Sequence, residues 1–342
     1  MQGLNGAKDG RETAACQNKK DYIQPNVGCS PDFLLFLILS LESPVTIAAE
    51  KERRYTVMEA IQQRTKPAGM TETGLKWIAL AAMVLDHVHY FFGFTGWIPE
   101  WFSMAGRIGA PLFLFCLVEG FTHTHSRKRY FARVYVLSTG MSALLFLMAY
   151  GGVLVRPDGF YPLNGMMTTF VILMVMWQGV DWLEQRKIFR GLAAVILPLA
   201  WPFLATGLSV MFPALMNPLG FLCYSFVPMW GITGDSSWPV LVMGMVLYLF
   251  RKHRKTQVAV FCVYYILYGV VYMGLMASRL PGFSWGQLFT EYYEIYGILA
   301  APLMLWYNGK RGGGHKMLFY VFYPAHVYIL YALSWGLYLV LN

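Results

Sequence analysis

Long apolar runs separated by short polar loops make up the chain from Gly74 onward. The runs are continuous and do not alternate between apolar and polar positions, so they predict helices and not strands. Most approach the roughly 20 residues that a helix needs to cross a bilayer core. Nine runs are present, over residues 74–93, 105–122, 134–154, 165–183, 191–209, 236–250, 258–277, 293–307 and 317–341. The pattern predicts an all-α fold, a polytopic transmembrane helix bundle with about nine spans.

One apolar region does not fit a simple span. Residues 207–234 are apolar but are interrupted by Pro213, Pro218, Pro228 and several glycines. Non-helical backbone at membrane depth is tolerated only where protein or a water-filled cavity covers it. The region is therefore predicted to be either a re-entrant hairpin or a loop on the outer face.

The charged residues are few and unevenly distributed. They make up 13% of the 342 residues, against 57% hydrophobic residues, which is typical of an integral protein of the lipid bilayer. Fourteen Lys and Arg lie in the loops HTHSRKRYFAR, EQRKIFR, RKHRKT and NGKRGGGHK, whereas the alternate loops hold only Arg156 and Arg279. The positive-inside rule places the four basic loops in the cytoplasm and, with nine spans, the C-terminus outside. The net charge of +9 thus indicates topology and gives no support to nucleic-acid binding.

The first part of the chain, residues 1–73, is polar apart from one short apolar run, FLLFLILSL. Nine residues are too few to span a membrane, and the polar stretch before them is too long for the start of a signal peptide. We interpret residues 1–73 as a flexible cytoplasmic extension of the transmembrane domain, residues 74–342. One interpretation places the extension upstream of a true start at Met58 or Met70.

Asp86 and Arg107 are charged residues inside predicted spans. An ionisable group at membrane depth is unfavourable by about 2.5–3.5 kcal/mol on insertion scales, so each one needs a partner or a function. Asp86 lies twelve residues into the first run, in its outer half, at a depth similar to that of Arg107. The two could form a structural ion pair or balance the charge of a reaction site. Asp86 could also orient His87 or His89, of which His89 shares its helix face.

Glu119 and His326 are further ionisable residues in the predicted spans. Glu119 could pair with Arg127 or Arg133 of the first basic loop, or line the site of a cytoplasmic ligand. His326 lies near mid-membrane, and Tyr323 shares its helix face and could hydrogen-bond it. The five cysteines show no spacing suited to a disulfide framework or to zinc, and no metal site is predicted.

The last basic loop combines glycines with positive side chains. It contains Asn308, Lys310, Arg311 and Lys316 in the sequence NGKRGGGHK. Flexible backbone amides beside such side chains suit phosphate binding, although the spacing of a Walker A motif is missing. The alternative is a loose basic loop without a ligand.

Three stretches of the chain resemble the TraX family: LKWIALAAMVLDHVHYFF, GRIGAPLFLFCLVEGFTHTHSRKRYFARVYVLS and YNGKRGGGHKMLFYVFYPAHVYILYAL. The resemblance covers residues 75–342 and is strongest at the two ends. The namesake of the family N-acetylates a pilin, so the resemblance implies a polytopic membrane acyltransferase that uses acetyl-CoA. The matching positions are Asp86, His87, Arg107, Glu119, Asn308, Lys310, Arg311, Tyr323 and His326. The sequence departs from the family at Asp235, which lacks the tyrosine and glycine that follow it in relatives.

The residues fit acyl transfer independently of the resemblance. Transfer from a thioester needs a base near neutral pH and positive groups for the phosphates of CoA, and imidazole and the basic loops meet these needs. We predict that His87 is the base and that Asp86 or Arg107 balances the charge of the site. His326 is predicted to line the path along which the acyl group is transferred. The acceptor would be an amine or hydroxyl at the membrane, on a protein N-terminus, a glycan or a small molecule.

Other side chains complete the predicted site. Five are expected to contact acetyl-CoA: Arg107, Glu119, Lys310, Arg311 and Lys316. Tyr323 and Asn308 are expected to line the site. Direct attack by the acceptor is predicted, with Cys116 as the alternative nucleophile of a covalent mechanism.

A proton-coupled transporter is the alternative function. Intramembrane Asp, His and Glu also mark proton pathways, and proline-broken segments such as 207–234 occur in transporters. The two halves of the chain show no symmetry of hydropathy, which argues against a transporter built from repeats. A purely structural membrane partner is disfavoured by the number of ionisable groups in the spans.

Overall fold

The computed structural model describes residues 52–53, 69–314 and 316–342, without the side chain of Lys316. The predicted extension falls almost entirely outside these residues, as do FLLFLILSL and Met58. Within the described residues the chain is helical, with no strand beyond a single bridge between Met70 and Tyr307.

The helices are α1 (Glu72–Phe92), α2 (Trp101–Gly106), α3 (Gly109–His123), α4 (Arg127–Gly151), α5 (Met166–Glu184), α6 (Ile188–Met211), α7 (Met216–Ser225), α8 (Trp238–Leu249), α9 (Arg254–Ile266), α10 (Met273–Ala277), α11 (Gln287–Thr290), α12 (Ala300–Trp306) and α13 (Lys316–Leu341). A π-helical segment, Leu267–Tyr272, joins α9 to α10, and a 3₁₀ segment, Glu294–Leu299, leads into α12. Among the described residues, seven helical stretches are long and apolar enough to cross a membrane: Glu72–Thr95, Trp101–His123, Arg127–Gly151, Met166–Glu184, Ile188–Met211, Arg254–Ala277 and Met317–Leu341. The predicted all-α membrane bundle is confirmed.

The predicted spans 236–250 and 293–307 are shorter than the sequence indicated. They form α8 and the segment Glu294–Trp306, which are apolar but too short to count with the seven. The 12 residues of α8 extend only about 18 Å at 1.5 Å per residue, less than the bilayer core. About nine full spans are thus corrected to seven, with two shorter helices inside the bundle.

Residues 212–236 fold back into the bundle and explain why α8 is short. After the turn Pro213–Leu215, helix α7 packs on α4, where Phe221 meets Phe146. The hydroxyl of Tyr135, about 16 Å nearer the basic end of α4, donates to the carbonyl of Phe226 at 2.7 Å. The chain therefore runs from the end of α4 that lies away from the basic loops toward the middle of the bundle before α8 begins. This supports the re-entrant hairpin, one of the two predictions for this region.

Helix α1 crosses the corner between α2 and α3 at very short range. A Cβ atom on Gly106 would lie 2.3 Å from the Cβ of Asp86, and one on Gly109 would lie 3.1 Å from the carbonyl oxygen of Ala79. Only glycine permits this approach, because any side chain would separate the helices. The crossing brings Arg107, which follows Gly106, against Asp86.

The core forms where α3 and α5 both pack on α8. Leu112, Phe115, Leu173 and Trp177 are almost completely buried there. Helix α6, in contrast, packs mainly on α5 and exposes most of its apolar side chains, such as Phe189, which is 91% exposed. An exposed apolar helix of this length suits contact with lipid.

We predict that Gly106→Ala destabilises the protein by about 1–3 kcal/mol, the usual penalty of overpacking, because its Cβ would collide with Asp86. The matched control is Gly140→Ala in α4, where a Cβ would meet nothing within 4 Å. Thermal unfolding in detergent should show a lowered Tm for the first variant and an unchanged or raised Tm for the second. Equal Tm values would contradict the close crossing.

Candidate functional site

A cavity of about 1170 Å³ extends from the basic loops into the bundle. Its wall on α1 begins at Glu72 and Lys76 and continues past Met83 to Asp86 and His87. Glu72 and Asp86 are separated by 14 residues, or about 21 Å of helix. The cavity therefore connects the surface at the basic loops with charged groups deep in the membrane.

The mouth of the cavity carries a group of arginines. Arg129 and Arg133 of α4 and Arg311 of the last basic loop line it and are exposed. Within the described part of the chain, none of the three forms an ion pair, whereas Lys76 beside them is paired with Glu72. The mouth is therefore a positive, unneutralised surface that suits an anionic group such as a phosphate.

The last basic loop is folded against the start of α1. The backbone amides of Glu72 and Thr73 donate to the carbonyls of Lys310 and Arg311 at 2.9 and 3.0 Å. Asn308 fixes the loop, since its side-chain amide donates to the carbonyl of Gly69 at 3.0 Å. The loose-loop alternative is thus wrong for residues 308–313.

The residues predicted in this loop differ in position. Arg311 lines the cavity, but Lys310 is exposed and is not part of the wall. Asn308 binds the backbone of Gly69 and does not line the site, contrary to the prediction. The side chain of Lys316 falls outside the described part of the structure.

Glu119 lies in the wall of the cavity, as predicted for a ligand-lining residue, but its partner differs from the prediction. Its carboxylate accepts a hydrogen bond from Arg254 at 2.9 Å, and Arg254 stacks on Phe115 and Tyr307. Arg127, one predicted partner, instead pairs with Asp181. The pairing depends on packing between α3 and α9, which are far apart in sequence.

A cluster of charges surrounds the deep end of the cavity. Arg107 lies between two carboxylates, with Nη2 3.8 Å from Asp86 and Nη1 3.4 Å from Glu294. The Nδ1 atom of His87 is 3.9 Å from the other oxygen of Asp86. The predicted Asp86–Arg107 pair is therefore present but long, and Glu294 is an additional member. Glu294 is the first residue of the 3₁₀ segment Glu294–Leu299, which leads into α12.

Backbone contacts fix the tautomer of His87 and of His326. Nδ1 of His87 lies 2.8 Å from the carbonyl oxygen of Met83, and Nδ1 of His326 lies 2.9 Å from that of Phe322. A carbonyl can only accept, so each Nδ1 carries the proton in a neutral ring and Nε2 keeps its lone pair. The two rings meet edge to face, with centroids 4.9 Å apart.

His87 and His326 differ in access to the cavity. His87 lines it, whereas His326 is buried behind His87 and is absent from the wall. Nε2 of His326 is buried without a hydrogen-bond partner in the described structure. Tyr323 does line the cavity, and its ring lies edge-on to His326 at 5.8 Å. His326 therefore packs against His87 and does not itself line this cavity, whereas its predicted place on a transfer path stays a prediction.

Asp235 also reaches the deep end of the cavity. The re-entrant hairpin and the 3₁₀ turn Gly234–Ser236 carry it there. The deep end thus holds three carboxyl groups, one guanidinium and one imidazole.

The sequence did not identify Glu294, Arg129 or Arg133 as site residues. Glu294 carries the signal that marked Asp86, a carboxylate within a predicted span, and could have been found that way. Arg129 and Arg133 follow one another at helical spacing, which places them on one face of α4. Cys116 is buried outside the cavity wall, so its position does not favour a covalent mechanism.

Known proteins are similar to the chain over most of its length. The family model described as TraX protein matches residues 71–234 and 226–334. The chain belongs to the TraX family. It is also similar to the "Probable fimbrial assembly protein FimC, serogroup H1" of Dichelobacter nodosus, with 31% identity over 274 residues, which cover 75% of this chain and 92% of that protein. No solved structure matches the chain.

We predict that Glu119→Gln lowers the free energy of unfolding by about 1–3 kcal/mol, because the change removes the charge that neutralises Arg254 at a partly buried position. Glu184→Gln is the matched control, since Glu184 is 46% exposed and its contacts with Arg251 and Lys252 are 3.4 Å long. Removing the charge of Glu184 should change the free energy of unfolding by less than about 1 kcal/mol. Equal effects in thermal unfolding would argue against the Glu119–Arg254 pair.

Proposed function

We propose that this multi-pass membrane protein is an acyltransferase that moves an acetyl group from acetyl-CoA to an amine or hydroxyl at the membrane. The observation that carries the proposal is the continuous cavity that connects the arginines of the mouth, which form no ion pair in the described structure, with His87. Membership of the TraX family supports the same reaction class.

We propose that CoA binds with its phosphates at the mouth. Arg129, Arg133 and Arg311 offer guanidinium groups without acidic partners in the described structure, and such groups bind phosphate through paired hydrogen bonds. The cavity continues inward past apolar side chains, among them Leu80, Met83 and Phe170, which suit an uncharged arm. When bound, acetyl-CoA would supply the activated acyl group at the end of this arm.

His87 is the proposed general base. Its Nδ1–H is fixed on the carbonyl of Met83, so Nε2 is available to accept the proton of the acceptor. Asp86, near the same ring, would stabilise the imidazolium that forms. His326 would hold the ring of His87 from behind by edge-to-face packing. Imidazole is well matched to this task because its ordinary pKa lies near neutral pH.

The acceptor and the orientation in the membrane are part of the proposal. We propose that the basic loops and the mouth face the cytoplasm, where acyl-CoA is made, and that the C-terminus faces outside. The similar protein of D. nodosus is named for fimbrial assembly, which supports an acceptor in the cell envelope. The N-terminal amine of a pilus-like subunit is one candidate, beside a glycan or a small molecule.

The test uses purified protein in nanodiscs, [¹⁴C]acetyl-CoA, and membranes from a strain lacking the gene as the source of acceptor. His87→Ala should lower label transfer by about 10²–10⁴-fold, the scale of general-base loss, with CoA affinity nearly unchanged. His89→Ala is the control, because His89 contacts Ser103 and lies outside the cavity wall.

Two results would reject the proposal. The first is full label transfer by the His87 variant, which would remove it as the base. The second is no CoA binding and no transfer by the wild-type protein, together with proton-dependent uptake of solutes into vesicles that contain it. That outcome would favour the transporter instead.

A further inference from the structure

Arg107, whose side chain is 32% exposed, is bound differently from three other arginines that pair with carboxylates in this protein. Arg254, Arg251 and Arg156 each donate to a carboxylate at 2.7–2.9 Å. The two acidic contacts of Arg107 are 3.4 and 3.8 Å long, beyond the usual range of an N–H···O bond. Its guanidinium is thus held in place by charge without being saturated by hydrogen bonds.

The Nε–H group of Arg107 has no partner at all. This atom is buried and makes no hydrogen bond within the described structure. A guanidinium carries five N–H donors, and a buried donor left unsatisfied costs about 1–3 kcal/mol. Native proteins rarely keep such a group unless a ligand or an ordered water satisfies it.

The fixed position of Arg107 points to the ligand that would satisfy it. Glu294 and Tyr293 hold the guanidinium from one side and Asp86 from the other, and the side chain lines the cavity. His87 and Arg107 both line this cavity, and Asp86 lies between them, 3.9 Å from Nδ1 of His87 and 3.8 Å from Nη2 of Arg107. The carbonyl oxygen of an acyl group gains negative charge when an acceptor attacks it. Such an oxygen would accept hydrogen bonds from the unsatisfied donors of Arg107.

We infer that Arg107 is a catalytic residue that hydrogen-bonds the acyl carbonyl oxygen of the thioester, and that Glu294 is its positioning residue. The inference rests on the proposed acyl transfer and changes the sequence-based role of Arg107, which was to bind the CoA moiety. Arg107 lies at the depth of His87, about 21 Å along α1 from the mouth, where a phosphate of CoA would not reach.

The proposed acyl transfer has two stages, addition of the acceptor to the thioester carbonyl and loss of the sulfur of CoA. The acceptor nitrogen or oxygen forms a bond to the acyl carbon while its proton moves to Nε2 of His87. The electron pair of the carbonyl moves to the oxygen that Arg107 binds. When that pair returns, the bond between carbon and sulfur breaks, and the sulfur takes the proton from His87. The products are the acylated acceptor and free CoA thiol.

The experiment measures the carbonyl stretch of [1-¹³C]acetyl-CoA bound to the purified protein by isotope-edited infrared spectroscopy. In the wild type the band should move to lower wavenumber than in buffer, because a charged donor weakens the carbonyl bond. Arg107→Met should abolish this shift and lower transfer by about 10²–10³-fold, with the Kd of CoA changed less than about threefold. Glu294→Gln should reduce the shift and kcat partially.

Two variants control for folding and for charge. Arg279→Met removes an exposed arginine outside the cavity and should leave the band and transfer unchanged. Arg107→Lys keeps a positive charge without the planar fork, and should fold while retaining only part of the shift. If Arg107→Met fails to fold, the lysine variant and Glu294→Gln carry the test.

The outcomes separate this inference from the proposed function. An unshifted band in the wild type, or the same shift in Arg107→Met and Arg107→Lys as in the wild type, overturns the role of Arg107 while acyl transfer stands. If Arg107→Met loses CoA affinity by as large a factor as it loses transfer, Arg107 binds the CoA moiety and is not the donor to the carbonyl oxygen. Failure of the wild type to bind acetyl-CoA overturns both proposals.

Discussion

The dominant physical constraint is the cost of placing charges inside a membrane. A charged side chain away from water is unfavourable unless a partner of opposite charge, a hydrogen bond or a water-filled cavity compensates for it. The chain meets this requirement at the basic end by pairing Glu119 with Arg254 and Asp181 with two arginines. At the deep end it clusters Asp86, Arg107 and Glu294 around one cavity. The irregular parts of the fold follow from that cluster.

The two short helices are the clearest consequence. Helix α8 and the segment from Glu294 to Trp306 start inside the bundle. The 3₁₀ turn just before α8 supplies Asp235, and the segment itself supplies Glu294, at the depth of Asp86. A full span would have carried those carboxylates to the outer surface. The re-entrant residues 212–236 allow the chain to return to that depth. Their first residues are exposed, and the later residues Cys223, Ser225, Thr233 and Ser236 are buried in the protein. Broken helices that end at mid-membrane sites are a recurring way to build polar sites in bilayers.

The sequence predicted those features that depend on position along one helix. The helical rise of 1.5 Å per residue predicted similar depths for Asp86 and Arg107, and their side chains do lie close together, 3.8 Å apart. It could not predict contacts between distant helices. The basic loops offer several possible partners to Glu119. Arg254 becomes the partner because its guanidinium packs on Phe115 and Tyr307.

Burial also decided which predicted residues face the cavity. His326 lies on an apolar helix at the expected depth, yet rotation of α13 places it behind His87. Lys310 and Arg311 are adjacent in a glycine-rich loop, but only Arg311 reaches the wall. Neighbouring residues in a loop point in different directions that depend on tertiary contacts, here those with the first turn of α1. Sequence spacing alone does not contain that information.

The central claim is that the acyl group reaches His87 while the phosphates of CoA remain at the basic mouth. Photo-crosslinking with a CoA thioester that carries a diazirine in its acyl chain tests this claim directly, with the adducts mapped by mass spectrometry of the purified protein. The account predicts adducts on residues 83–87 or 106–110 that excess CoA suppresses. Adducts confined to the basic loops, or adducts that excess CoA does not suppress, would contradict it.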